Sequence, residues 1–155
     1  MRMKMTREQK VAHRFLSSFD MVDSRLSSSL IALERAESAR SSITGSIEGM
    51  GLSGSQGDKM CNALVRIEES IDDIRNLSDV YAAQFKEIED FISEVQRIDQ
   101  QAGKVLRHVY IDRISVKEVA DEDDMQCTKK TVYEHLKRGL EISFALLVKE
   151  VEPCL

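Results

Sequence analysis

From Met60 to Val95 the apolar side chains recur at spacings that alternate between four and three. They are Met60, Leu64, Ile67, Ile71, Ile74, Tyr81, Phe85, Ile88, Ile92 and Val95, with Ser78 in the one gap. This is a heptad seam held for about five repeats, the pattern of a helix that coils around a partner helix. The other faces carry Arg66, Glu68, Glu69, Asp72, Asp73, Lys86, Glu87 and Glu89, as a solvated surface requires. The pattern predicts one long helix over 58–102, with Asp58 well suited to cap its start. A weaker helical spacing (Phe15, Phe19, Val22, Leu26, Leu30, Leu33, Ala36) predicts an amino-terminal helix within 1–44. Its polar face is rich in Ser, which lowers helix propensity. Between the two, residues 45–57 hold five of the seven glycines and read as a flexible linker that breaks both helices. The two helices predict an antiparallel hairpin or a shared dimeric coiled coil, and the spacing does not choose.

After Gly103 the long seam gives way to shorter units. Val105 to Ile111 is apolar at helical spacing, and Ser115 followed by Glu118 has the form of a capping box opening a second helix. A polar turn from Asp121 to Gln126 comes next, and Thr128 to Leu140 reads as a third helix that Thr128 can cap. Val132, Leu136 and Leu140 form its buried stripe. Val119 and Val132 are positioned to plug the core between the last two helices, and Ala120 is small where they approach. Residues 103–150 thus have the layout of a helix-turn-helix, leaving 151–155 as a tail.

Charge changes the picture. The net charge of −5 divides into +3 over 1–44, −7 over 45–102 and −1 over 103–155. Within the last block the acidic run Asp121-Glu122-Asp123-Asp124 is followed closely by Lys129, Lys130, Lys137 and Arg138. Screening confines each charge to about 8–10 Å, so a local basic patch survives a globally acidic chain. In a helix-turn-helix the last helix enters the major groove with its first turns toward the bases. The residues expected to contact DNA are therefore Thr128, Lys129, Lys130, Thr131, Tyr133, Glu134, Lys137 and Arg138.

Other chemistry is sparse. Cys61, Cys127 and Cys154 stand far apart, as do His13, His108 and His135, with no metal-ligand spacing. Reduced structural thiols are expected, with no metal and no cofactor. The glycine-rich stretch lacks the lysine and the preceding strand of a phosphate loop. With no nucleophile–base pair either, a non-enzymatic protein is expected. The basic start MRMKMTREQK leads into no apolar segment, and no apolar run is long enough to span a bilayer. A cytoplasmic protein without membrane contact is the expectation.

The string Leu106 to Ala120 resembles the start of the promoter-reading helix-turn-helix of sigma factors, and Thr131 to Leu140 resembles its recognition helix. The wider layout is similar to small sigma-factor-like proteins of Gram-positive phages, the ArpU/RinA-like late transcription regulators. Ser42 to Ile47 and Gly57 to Met60 share that likeness, which extends from about residue 40 to 142. The chain departs from the pattern in its turn, which has four acids and no glycine and sets Val132 twelve positions after Ala120, where such motifs usually allow about ten. The resemblance implies an all-α DNA-binding transcription regulator encoded by a phage or prophage. Its partners would be double-stranded DNA, RNA polymerase and a second copy joined through the 60–95 seam. Two other readings fit the pattern: a coiled-coil adaptor that binds polymerase or another protein, and a DNA-recognition subunit of phage packaging.

Overall fold

The computed structural model describes residues 3–50 and 54–151, with the backbone alone at 43–50, 54–56 and 151. Among the described residues every regular element is helical, so the all-α expectation holds. In chain order they are α1 (Arg7–Leu16), α2 (Phe19–Met50), α3 (Gly54–Ile98), α4 (Gln100–Leu106), a π-helical turn (Arg107–Ile111), α5 (Val116–Asp121) and α6 (Lys129–Val151). None of them is long and apolar enough to cross a membrane. They form two compact units, one of Phe19–Ala83 and one of Met1–Ser18 with Gln84–Leu155.

The first unit is an antiparallel hairpin of α2 and α3. Phe19 meets Tyr81 edge-on at 6.0 Å, while Ala32, Arg35, Ala36 and Ala39 share a groove with Lys59, Ala63, Arg66 and Ser70. The spacing left hairpin and coiled coil open, and the chain adopts the hairpin. The predicted seam holds at Ile88, Ile92 and Val95, which are buried, and Ile67, Ile74 and Tyr81 are half-buried; it is turned by one residue only at 64 and 71. Leu64 and Ile71 are 43% and 37% exposed, whereas Ala63 and Ser70 are buried. Ala36 is buried on the facing helix, so small residues line both sides of the seam. Burial follows the side chains on the partner helix, which apolar spacing alone does not reveal.

Helix also extends further into the glycine-rich stretch than breaker counting predicts. α2 runs to Met50 and α3 begins at Gly54, so Asp58 lies inside α3 and does not cap it. Glycine weakens a helix by about 1 kcal/mol per residue without forbidding it. The centre of the predicted linker, 51–53, and residues 152–155 of the tail lie outside the described residues.

The second unit gathers both ends of the chain. The predicted amino-terminal helix breaks at Ser17 and Ser18. Ser17 sends both its N–H and its hydroxyl to the carbonyl of His13, at 3.0 and 2.7 Å, and the N–H of Ser18 reaches the carbonyl of Phe15. Such serine back-bonding competes with helix continuation. α1 packs on α6, and its Phe15 meets Phe91 of α3 edge-on at 4.8 Å. His13 Nδ1 hydrogen-bonds the Tyr110 hydroxyl at 2.6 Å; burial pushes that phenol well above its ordinary pKa. Gln9 is buried and makes three hydrogen bonds. Its Oε1 accepts the N–H of Thr6, its own N–H donates to the Thr6 hydroxyl, and its Nε2 donates to Glu141 of α6 at 3.1 Å.

The predicted long helix ends early, at Ile98. Asp99 takes extended angles and caps α4, accepting the N–H of Ala102 at 3.1 Å. The reversal lays Gly103 directly on the backbone of Gln96, leaving no room for a β-carbon. Leu106 of α4 then packs against Gly139 of α6, and Val119, Val132 and Leu140 are fully buried beside it. Arg107 anchors the π-helical turn to α3 through Glu89 (3.4 Å) and Ser93 (3.3 Å).

The close approach at Gly103 yields a sharp test. Gly103→Ala is expected to destabilise this unit by about 3 kcal/mol, because the obstacle is backbone that cannot rotate away. Thermal denaturation of the variant checks this, and an unchanged midpoint would contradict the close approach.

Candidate nucleic-acid interface

The local sequence positions α6 by the means the Ser and Thr spacings suggest. Ser115 caps α5 and accepts the N–H of Glu118 at 3.3 Å, while the Glu118 carboxylate accepts the N–H of Ser115 at 2.7 Å. Thr128 caps α6 by accepting the N–H of Thr131 at 3.2 Å, and the two hydroxyls also bond at 2.9 Å. Val132, Leu136 and Leu140 are buried and hold one face of α6 inward. The opposite face of its first turns is thereby held outward.

On that face Lys129, Lys130, Tyr133, Glu134 and Lys137 line one groove, joined there by Met3 and Lys4 from the segment ahead of α1. The three α6 lysines and Lys4 are exposed, and Tyr133 is half-buried. The first turn of α6 carries no acid, so Lys129 and Lys130 add cationic charge to an already positive helix end. Such a placement costs a few tenths of a kcal/mol per residue and favours an incoming anion. Lysine stems and Tyr133 give the groove an apolar floor beneath the ammonium groups.

Three predicted residues have other duties. Thr128 and Thr131 are engaged in the cap of α6. Arg138 pairs with Asp99, the residue that caps α4, and does not line the groove. A surface guanidinium one position beyond Lys137 points a quarter-turn away around a helix. Met3 and Lys4 were missed by the sequence reasoning. The basic start and the Thr6–Gln9 spacing of a capping box were legible, but only the docking of α1 brings them to α6.

The acidic turn is organised by its own hydrogen bonds. Asp124 lies 3.0 Å from Nε2 of His108, and Asp112 lies 3.0 Å from Nδ1 of the same ring. The carbonyl of Glu122 accepts the N–H groups of Met125 and Gln126, and Cys127 closes back on Ala120 at 3.3 Å. Gln126 has φ 39°, the left-handed conformation for which the turn supplies no glycine, at a cost of about 1–2 kcal/mol. The longer turn is thus a closed structure tied to the π-helical turn through His108.

A family model described as "Protein of unknown function (DUF1492)" matches residues 45–142. Comparison with curated proteins and with solved structures finds no match.

The capping box of α5 should respond to acid. Hydrogen bonds from the backbone and then the hydroxyl of Ser115 hold the Glu118 carboxyl below its ordinary value of 4.5. A depressed folded-state value means the stabilisation is complete above that ordinary value and is lost as pH falls through the folded one. Amide-exchange protection of α5 is expected to fall on acidification in that window. In Glu118→Gln the window should be flat, since glutamine preserves the box without titrating.

Proposed function

The chain belongs to the DUF1492 family, and on that footing we propose that it is a sequence-specific DNA-binding transcription regulator of phage or prophage origin. It reads promoter DNA with α6, acting as an oligomer. The observation that carries this reading is the convergence of Lys129, Lys130 and Lys137 with Tyr133 on one outward groove at the start of α6. In this reading α5 and α6 are the two helices of a helix-turn-helix, and Lys129 and Lys130 anchor to phosphates. Tyr133, Glu134 and Lys137 then face base edges, where lysine donates to guanine and glutamate accepts from cytosine. Of the four acids in the turn, Asp124 is drawn onto His108.

Phosphate neutralisation supplies most of the affinity of such a protein, and three lysines give weak, salt-sensitive binding in one subunit. Two subunits on paired half-sites double the number of neutralised phosphates. The residues left exposed on the hairpin, Leu64 and Ile71, supply apolar surface for that association.

A second reading has its own support. The same exposed residues on an acidic helix also suit an adaptor that binds RNA polymerase or another protein through the hairpin and never touches DNA.

Selection of bound sequences from random duplex DNA decides between them. Enrichment of a palindromic consensus is expected, and its bandshift should disappear in Lys129→Ala with Lys130→Ala while the circular dichroism stays unchanged. No enrichment, with polymerase retained by the intact chain, would transfer the assignment to the adaptor.

A further inference from the structure

Lys4 belongs to a segment that the proposed DNA-reading helix does not contain, yet it lines the same groove as Lys129, Lys130 and Lys137. We propose that Lys4 is a fourth phosphate-binding lysine, so that the segment ahead of α1 and the first turns of α6 grip one nucleic-acid backbone together. The inference rests on the DNA-binding reading above and adds a second element to the binding surface.

The position of Lys4 is built into the fold. Two residues on, Thr6 caps α1 through a reciprocal box with Gln9, and the same Gln9 amide crosses to Glu141 of α6 at 3.1 Å. The backbone that follows Lys4 is therefore pinned to the helix that carries the other three lysines. Among the described residues no carboxylate pairs with any of the four lysines. Glu134 shares the groove without bridging to them. Four ammonium groups around one groove outnumber its single carboxylate, and a continuous polyanion relieves their mutual repulsion while releasing its own condensed counterions. Duplex nucleic acid offers such a row of charges, which a single carboxylate or an isolated phosphate does not.

The test uses the full chain and a short random-sequence duplex, with affinity followed by fluorescence anisotropy between about 50 and 200 mM salt. Removing one lysine that neutralises a phosphate flattens the slope of log affinity against log salt by about 0.9. Lys4→Ala is expected to flatten it by about that much and to weaken every sequence alike. Lys4→Arg should keep the parent slope, and Lys129→Ala with Lys130→Ala should flatten it by about twice as much. Lys4 is exposed and precedes the capping box, so its variants retain the fold, which circular dichroism verifies. A parent slope in Lys4→Ala, alongside a flattened one in the α6 double variant, would overturn this inference alone. A parent chain that fails to bind at low salt, or a slope indifferent to all the variants, would overturn the DNA reading with it.

Discussion

The Asp99 carboxylate holds the carboxyl-terminal unit in its arrangement. One oxygen accepts the Ala102 N–H and starts α4, and the other pairs with Arg138 of α6. The reversal this creates is so tight that only glycine fits at position 103, against the backbone of Gln96. From there Leu106 is delivered onto Gly139, and the apolar stripe of α6 is drawn into the core. An N-cap contributes about 1 kcal/mol, and a partly exposed ion pair contributes less. The importance of Asp99 therefore lies in direction more than in strength. It ends a helix of forty-five residues at the place where the next three elements must turn back.

A second polar group, the Gln9 amide, makes the carboxyl-terminal unit depend on the first residues of the chain. A buried amide left without partners costs about 1–3 kcal/mol, so the hydrogen bonds to Thr6 and Glu141 are requirements of burying α1. The outcome is a groove whose lysines come from opposite ends of the sequence. His108 joins Asp112 to Asp124 and holds an acid-rich turn in a defined shape without help from glycine.

Much of the local structure could be read from residue type and spacing. The Ser115–Glu118 box, the Thr128 cap and the inward stripe Val132, Leu136 and Leu140 all occur where their patterns place them. These features depend on interactions three or four residues apart, which sequence spacing encodes directly. Spacing failed where a choice depended on a distant partner. Leu64 and Ile71 satisfy a heptad seam as well as Ala63 and Ser70 satisfy the neighbouring one. The Ala36 side of α2 decides for the small residues. The break at Ser17 and the reversal at Asp99 likewise sit in sequences with respectable helical periodicity. Among the candidate DNA-facing residues, Lys129, Lys130, Tyr133, Glu134 and Lys137 share a groove, while Arg138 is drawn to Asp99.

The sequence by itself determined that the chain is all-α, which residues begin its last two helices, and which face of α6 is apolar. Propensity, capping and periodicity act within a few residues and need no knowledge of the rest. The tertiary structure alone decided that α1 joins the carboxyl-terminal unit, that Lys4 shares a groove with the α6 lysines, and that Arg138 pairs with Asp99. Those outcomes follow from burying Gln9, Ala12 and Leu16 and from the fit of glycine against backbone. Such interactions connect residues far apart in the chain, and their energies exist only once both partners are in position.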